Sequence, residues 1–98
     1  TVQLALDMPE NQPHRADVAK MLVHRRGRRR GIAEALMRAV EQAARNAGRT
    51  VLVLDTVVGS DADRLYRRLG WEVAGVIPDY AFLPAGGLCA TRYFYRRL

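Results

Sequence analysis

The sequence predicts an α/β domain in which one mixed sheet carries two helices. The first observation is an alternating segment, 14–24, followed by a segment with helical periodicity, 31–47. The second is the run Thr50–Thr56, whose nearly continuous apolar and β-branched residues are typical of a strand covered on both faces. Because strand–helix–strand crossovers are right-handed, we expect the two strands to run parallel as neighbours or near-neighbours. A length of 98 residues, 49% of them hydrophobic, suits one domain.

The N-terminal part is expected to form a hairpin. Residues Thr1–Met8 alternate like a strand, and Pro9–Pro13 is rich in turn-forming residues. Residues His14–His24 then form the second arm, whose alternation places Asp17 on the same face as Met21. This register decides which side chains of the second arm can share a site.

The segment from Gly31 to Ala47 is expected to be the longer helix. Apolar residues recur along it at helical spacing, namely Ile32, Leu36, Val40 and Ala44. Gly48 follows as a C-cap, because glycine readily adopts the left-handed conformation that ends a helix.

A second, shorter helix is expected up to Leu69. Ser60 can act as its N-cap, and Asp61 and Asp63 lie in the first turn, where the helix dipole favours acidic side chains. Gly70 is expected to end it.

The remaining chain is expected to form two strands. Trp71–Ile77 is the first, Pro78–Leu88 is a loop because of its proline and glycine content, and Cys89–Leu98 is the second.

The segment Val23–Ala33, VHRRGRRRGIA, has the composition of a phosphate site. Five arginines lie between Arg25 and Arg30, in a chain whose net charge is +6. The segment leads onto the N-terminus of a helix, where unpaired backbone N–H groups and the helix dipole favour an anion. A clustered patch suits one local polyanion, but the charge alone leaves open whether that polyanion is a nucleic acid, a membrane or a cofactor.

Several classes of protein are disfavoured. A single cysteine, Cys89, excludes an intrachain disulfide. His14 and His24 lack the spacing of metal ligands, so we expect no metal. No apolar run approaches the roughly 20 residues that span a bilayer, and the first residues lack the features of a signal peptide. We therefore expect a cytoplasmic protein with no membrane partner.

Two motifs resemble those of the GCN5-related N-acetyltransferases (GNAT). Residues 28–33, RRRGIA, fit the pattern Arg/Gln-x-x-Gly-x-Gly/Ala between a strand and a helix, and LYRRLGW places Tyr66 before a glycine and an aromatic residue. The resemblance covers nearly the whole chain and is closest to the tabtoxin-resistance type. It implies a mixed, mostly antiparallel sheet with a central, splayed parallel strand pair and two helices, and acetyl-CoA as cofactor.

The resemblance also implies a set of site residues. Tyr66 resembles the general acid that protonates the departing thiolate, although aromatic residues at helical spacing more often belong to the core. Asp17 and Asp55 resemble a pair that binds the substrate ammonium or takes its proton, although a turn cap at Asp55 and a solvated Asp17 are alternatives. The implied cofactor-binding residues, besides Tyr66, are Met21, Leu22, Val23, Arg28, Arg29, Arg30, Gly31, Ile32 and Ala33.

The family's domain begins with a strand, two helices and another strand before the hairpin. Residues 1–98 are therefore expected to be a single GNAT domain lacking these N-terminal elements, which favours a homodimer. The acceptor expected from the resemblance is a primary amine of a small molecule, such as an antibiotic or toxin. Two alternatives remain at this point: a basic nucleic-acid-binding module, and an inactive acetyltransferase fragment. Few aromatic residues, 7% of the chain, disfavour the first alternative.

Overall fold

The computed structural model describes residues 2–19 and 31–98. These residues form five strands and two helices in the order β1 (Gln3–Ala5), β2 (Arg15–Ala19), α1 (Ile32–Asn46), β3 (Val51–Val57), α2 (Asp61–Arg68), β4 (Glu72–Phe82) and β5 (Leu88–Arg97). The strand order in the sheet is β1-β2-β3-β5-β4. Strands β1 and β2 pair antiparallel, as do β4 and β5, whereas β2 and β3 pair parallel. The predicted mixed sheet, its parallel pair and its two helices are confirmed.

The chain divides into two compact units. The first unit contains the described residues up to Val53 together with Arg97–Leu98, and the second unit contains Leu54–Arg96.

The core of the first unit lies between α1 and the strands β2 and β3. Its most buried side chains are Ala16, Met37, Ala44 and Leu52. The helix ends as predicted at Gly48, which has a left-handed φ of 77°. The N–H groups of Gly48 and Arg49 bond back to the carbonyl oxygens of Arg45 and Ala44, and this pattern is the Schellman motif.

In the second unit, α2 packs against alternate residues of β5. Arg92 contacts Asp63, and the ring of Phe94 packs on Tyr66. Arg96 then donates to the carbonyl oxygen of Leu69, at 2.8 Å. Side chains two residues apart on a strand share one face, and those three residues apart on a helix do so as well. Each step of two residues along β5 therefore matches a step of three residues, about one turn, along α2.

A buried ion pair fixes the first step of this packing. Both carboxylate oxygens of Asp63 lie close to the Nη1 of Arg92, at 3.0 and 3.1 Å. The same carboxylate accepts from the N–H of Gly59 at 2.8 Å and lies 3.4 Å from the Nε of Arg67. Because a buried carboxylate is costly unless it is fully hydrogen-bonded, these donors are what allow Asp63 to lie in the core.

The predicted ends of α2 are also confirmed. The N–H of Asp63 donates to the Oγ of Ser60, at 3.1 Å, which makes Ser60 the N-cap. At the other end Gly70 has a φ of 87°, and the N–H of Trp71 donates to the carbonyl oxygen of Tyr66 at 3.0 Å. This second Schellman motif brings the Trp71 ring to 6.0 Å from the Tyr66 ring.

Two strand boundaries were predicted wrongly. Strand β1 spans only Gln3–Ala5 rather than Thr1–Met8, because its pairing with β2 ends at Ala5. The chain then enters a turn in which the N–H of Gln12 bonds to the carbonyl oxygen of Pro9. Strand β4 continues to Phe82, although the sequence predicted a loop from Pro78. At the sheet edge the missing N–H of a proline is tolerated.

The continuation of β4 is irregular. Its register against β5 shifts between Ile77 and Ala81, and Asp79 in between has a positive φ of 52°. Proline and aspartate are common in turns, so Pro78 and Asp79 suggest a turn in the sequence. In the structure they lie at a bulge within a strand.

The packing of α2 predicts unequal effects for two acids in its first turn. Asp63→Ala leaves the guanidinium of Arg92, only 14% exposed, without its carboxylate partner, so we expect the free energy of unfolding to fall by about 3–5 kcal/mol. Asp61 is exposed, and Asp61→Ala should change it by no more than about 0.5 kcal/mol. Urea denaturation of both variants measures this difference, and equal effects would contradict the role given to Asp63.

Candidate functional site

Tyr66 lies on the inner face of α2 in the second unit. Only 4% of the residue is exposed, and its ring packs against Trp71 and, in an edge contact at 5.6 Å, against Phe94. Burial raises the pKa of its phenol above the ordinary value of 10.0, and the negative charge of Asp55 raises it further. The phenol is therefore protonated at neutral pH and can act as a hydrogen-bond or proton donor.

Asp55 lies in β3, two residues before its end. The residue is exposed, but its Oδ2 accepts a hydrogen bond of 2.8 Å from the hydroxyl of Thr91 on β5. Its charge also acts on Tyr66. Two of the three candidate catalytic residues, a protonated phenol and an accessible carboxylate, thus lie in one unit, and the charge of the carboxylate raises the pKa of the phenol.

Asp17 lies in the first unit, on β2. In the parallel ladder it is the register partner of Val53. Its half-buried carboxylate is 3.2 Å from the Nη1 of Arg15. Asp17 therefore has a cationic partner on its own strand, and its pairing with Asp55 at one site stays a prediction.

The described part of the candidate phosphate site is the start of α1. Gly31 is the N-cap residue, with a left-handed φ of 72°, and among the described residues no atom outside its chain neighbours and its own helix lies within 4 Å of the position that a Cβ would take. Gly31 has no side chain to cap the first N–H groups of the helix, which include those of Ile32 and Ala33. These donors suit an anion. Glu34 in the same turn accepts from Arg38 at 2.6 Å, which offsets its negative charge.

Other candidate residues lie outside the described part of the chain. These are Met21, Leu22, Val23, Arg28, Arg29 and Arg30. Their role in binding a cofactor stays a prediction from the sequence.

Sequence reasoning missed Thr91 and Arg92 on β5. Thr91 bonds to Asp55, and Arg92 anchors the helix that carries Tyr66. Both belong to a strand whose alternation could be recognised, but their partners lie 36 and 29 residues earlier in the chain. No local pattern predicts such contacts.

Within residues 2–19 and 31–98, no cluster of histidine, cysteine and acidic side chains could hold a metal ion. Neither α1 nor α2 is long and apolar enough to cross a bilayer.

Solved structures share this arrangement of strands and helices. An acetyltransferase of the GNAT family from Streptococcus pneumoniae superposes with a TM-score of 0.87 at 18% identity, over 99% of this chain and 58% of that chain. A GCN5-related N-acetyltransferase from Kribbella flavida superposes with a TM-score of 0.84 at 23% identity, over 99% of this chain and 58% of that chain. The yncA protein of Salmonella typhimurium was solved with its cofactor acetyl-CoA. It superposes with a TM-score of 0.85 at 18% identity, over 99% of this chain and 56% of that chain.

Such identities show a shared fold, and the chain spans only 56–58% of the length of these three proteins. The family itself is shown by sequence, since the model of the acetyltransferase (GNAT) family matches residues 2–71. Because that match includes β1, β2, α1, β3 and α2, and therefore Asp55 and Tyr66, this chain belongs to the GNAT acetyltransferase family.

Proposed function

We propose that the chain carries the cofactor-binding and proton-transfer residues of an acetyl-CoA-dependent N-acetyltransferase. The observation that carries this proposal is the pairing of a buried, protonated phenol with an exposed carboxylate whose charge reaches it, Tyr66 with Asp55. Membership of the GNAT family supports the reaction class, and a neighbour solved with acetyl-CoA supports the cofactor.

The start of α1 fits the pyrophosphate of coenzyme A. Gly31 adds no side chain at this helix start, and the N–H groups of Ile32 and Ala33 can donate to phosphate oxygens. The arginines of the preceding segment, Arg28, Arg29 and Arg30, would add charge-assisted hydrogen bonds.

Tyr66 acts as the general acid in the proposed reaction. Acetyl-CoA, when bound, supplies the acetyl group as an activated thioester. Transfer of that group to an amine releases a thiolate, which must be protonated. The Oη of Tyr66 holds its proton at neutral pH because burial and Asp55 both disfavour the phenolate, so the proton is available for this step.

Asp55 acts at the other reactant. A primary amine is an ammonium ion at neutral pH and has no lone pair with which to attack a carbonyl carbon. The exposed carboxylate of Asp55 can bind the ammonium and take one proton from it, directly or through a water molecule. Asp17 on β2 is proposed to bind the same cation electrostatically.

The acceptor proposed is a primary amine of a small molecule, such as an antibiotic or toxin. The support is the likeness of the segments LDTVVGSDADRLYRRLGW and IPDYAFLPAGGLCATRYFYRRL to the tabtoxin-resistance type. We place the reaction in the cytoplasm, where acetyl-CoA is available.

Acetyl-CoA should stabilise the protein. At a free concentration one hundred times its Kd, a ligand that binds only the folded state contributes about 2.7 kcal/mol, which raises the Tm by several degrees. Differential scanning fluorimetry at moderate salt measures the shift, with an RNA and a DNA oligomer as comparisons. A response to the oligomers without a response to acetyl-CoA would favour a nucleic-acid-binding module.

Removing the phenolic hydroxyl should slow the transfer step. For Tyr66→Phe we expect kcat to fall about 100-fold, because proton donation to the thiolate is lost, with little change in the Kd of acetyl-CoA. The free thiol released during turnover is the signal. Tyr80→Phe removes the hydroxyl of an exposed tyrosine in the same unit and should leave kcat unchanged. A full kcat in Tyr66→Phe would remove Tyr66 as the acid.

The pKa of Tyr66 can be tested without substrate. Tyrosinate absorbance, recorded against pH while circular dichroism shows that the protein is folded, should contain one component that ionises above pH 10.0 and disappears in Tyr66→Phe. Asp55→Asn removes the negative charge near the phenol and should shift this component to lower pH. Tyr80→Phe should retain it.

A further inference from the structure

Thr91 is a buried threonine whose hydroxyl reaches two acceptors. Its Oγ1 lies 2.8 Å from the Oδ2 of Asp55 and 3.0 Å from the carbonyl oxygen of Thr56. Thr91 is 4% exposed, whereas Asp55 is exposed. A hydroxyl in the interior of the second unit therefore supports a carboxylate at its surface.

The number of hydrogens at this contact is informative. A threonine hydroxyl has one hydrogen to donate and two lone pairs to accept with. While Asp55 is charged, the hydroxyl can donate to its Oδ2. When the Oδ2 carries a proton, the hydrogen bond can reverse: Asp55 donates to the Oγ1 of Thr91, and the single hydrogen of Thr91 turns from Asp55 to the carbonyl oxygen of Thr56.

A proton on the Oδ1 of Asp55 leaves the Oδ2 as an acceptor for Thr91. Every protonation state of Asp55 thus has a partner without movement of a heavy atom. Such a partner suits a carboxylate that gains and loses a proton in each catalytic cycle.

The backbone on both sides of Thr91 is anchored. The carbonyl oxygen of Ala90 accepts from the N–H of Val58 at 3.2 Å, and Arg92 is held by the buried carboxylate of Asp63. Successive side chains of a strand point to opposite faces, so the contact of Arg92 with α2 fixes Thr91 on the other side of β5. The hydroxyl is therefore a rigid reference point for Asp55.

We propose that Thr91 is a positioning residue that holds the Asp55 carboxylate in one orientation while Asp55 takes up and releases a proton. This inference rests on the proposed function, in which an N–H bond of the substrate ammonium breaks and an O–H bond forms on Asp55. The neutral amine that remains attacks the acetyl carbon, and Tyr66 gives its proton to the departing thiolate as the C–S bond breaks. The second proton that the nitrogen loses on becoming an amide restores the phenol of Tyr66, and Asp55 returns its own proton to water.

The first test follows the ionisation of Tyr66, whose pKa responds to the charge of Asp55, and needs no substrate. In Thr91→Val the carboxylate can turn, so the pH at which Tyr66 ionises should differ from that of wild type. Thr91→Ser keeps the hydroxyl and should titrate like wild type. In the Asp55→Asn background Thr91→Val should change nothing further. A wild-type titration in folded Thr91→Val would overturn the proposal.

The second test measures turnover with a panel of small primary amines. Thr91→Val should lower kcat about tenfold, because Asp55 is no longer aligned, with the Kd of acetyl-CoA unchanged. Thr91→Ser should recover most of kcat. Thr50→Val makes the same substitution at an exposed threonine of the first unit and should leave kcat unchanged.

The double variant separates positioning from a structural effect. If Thr91 acts through Asp55, Thr91→Val causes no additional loss of kcat once Asp55→Asn is present. An equal loss in both backgrounds would overturn the proposal and leave the acetyltransferase activity standing. If wild type transfers acetyl to no amine, the proposed function fails, and the titration still decides whether Thr91 orients Asp55.

Discussion

The second unit depends on the buried contact between Asp63 and Arg92. A carboxylate in the core needs several donors, and Asp63 finds them in Arg92, in Arg67 and in the N–H of Gly59. Because these donors come from a strand, a helix and the loop before it, one ion pair sets the position of α2 along β5. Tyr66, three residues after Asp63, is placed by the same contact, and so is Thr91, which precedes Arg92.

The spacing of tyrosine, glycine and tryptophan in LYRRLGW has a structural cause. Gly70 takes the left-handed conformation that ends α2, and the Schellman motif then packs Trp71 against Tyr66. An apolar contact between these two positions often accompanies this way of ending a helix, so the spacing alone does not mark a catalytic tyrosine. What distinguishes this tyrosine is the negative charge of Asp55, which acts on its phenol from outside the motif. The pKa of Tyr66 is therefore raised chiefly by burial and further by a charge on β3, whereas its position depends on α2.

Local features of the fold could be predicted from the sequence, and distant contacts could not. Ser60 as an N-cap and Gly48 as a helix end depend on hydrogen bonds within a few residues. The residue types at these two positions are enough to predict such bonds. The extension of β4 past Pro78 depends on pairing with β5, which tolerates a proline at an edge. The hydrogen bond from Thr91 to Asp55 joins residues 36 positions apart. The candidate acid and carboxylate were therefore found in the sequence, whereas the residues that hold them were not.

The electrostatic link between Asp55 and Tyr66 orders the two proton transfers of the proposed reaction. While Asp55 is charged, it raises the pKa of the phenol and helps Tyr66 to keep its proton. Uptake of a proton from the substrate ammonium neutralises Asp55 and removes that contribution, so the phenol becomes a stronger acid once the amine has become a nucleophile. Burial is the larger cause of the raised pKa and persists throughout. The change is therefore a modest one, but its direction favours donation by Tyr66 after Asp55 has acted.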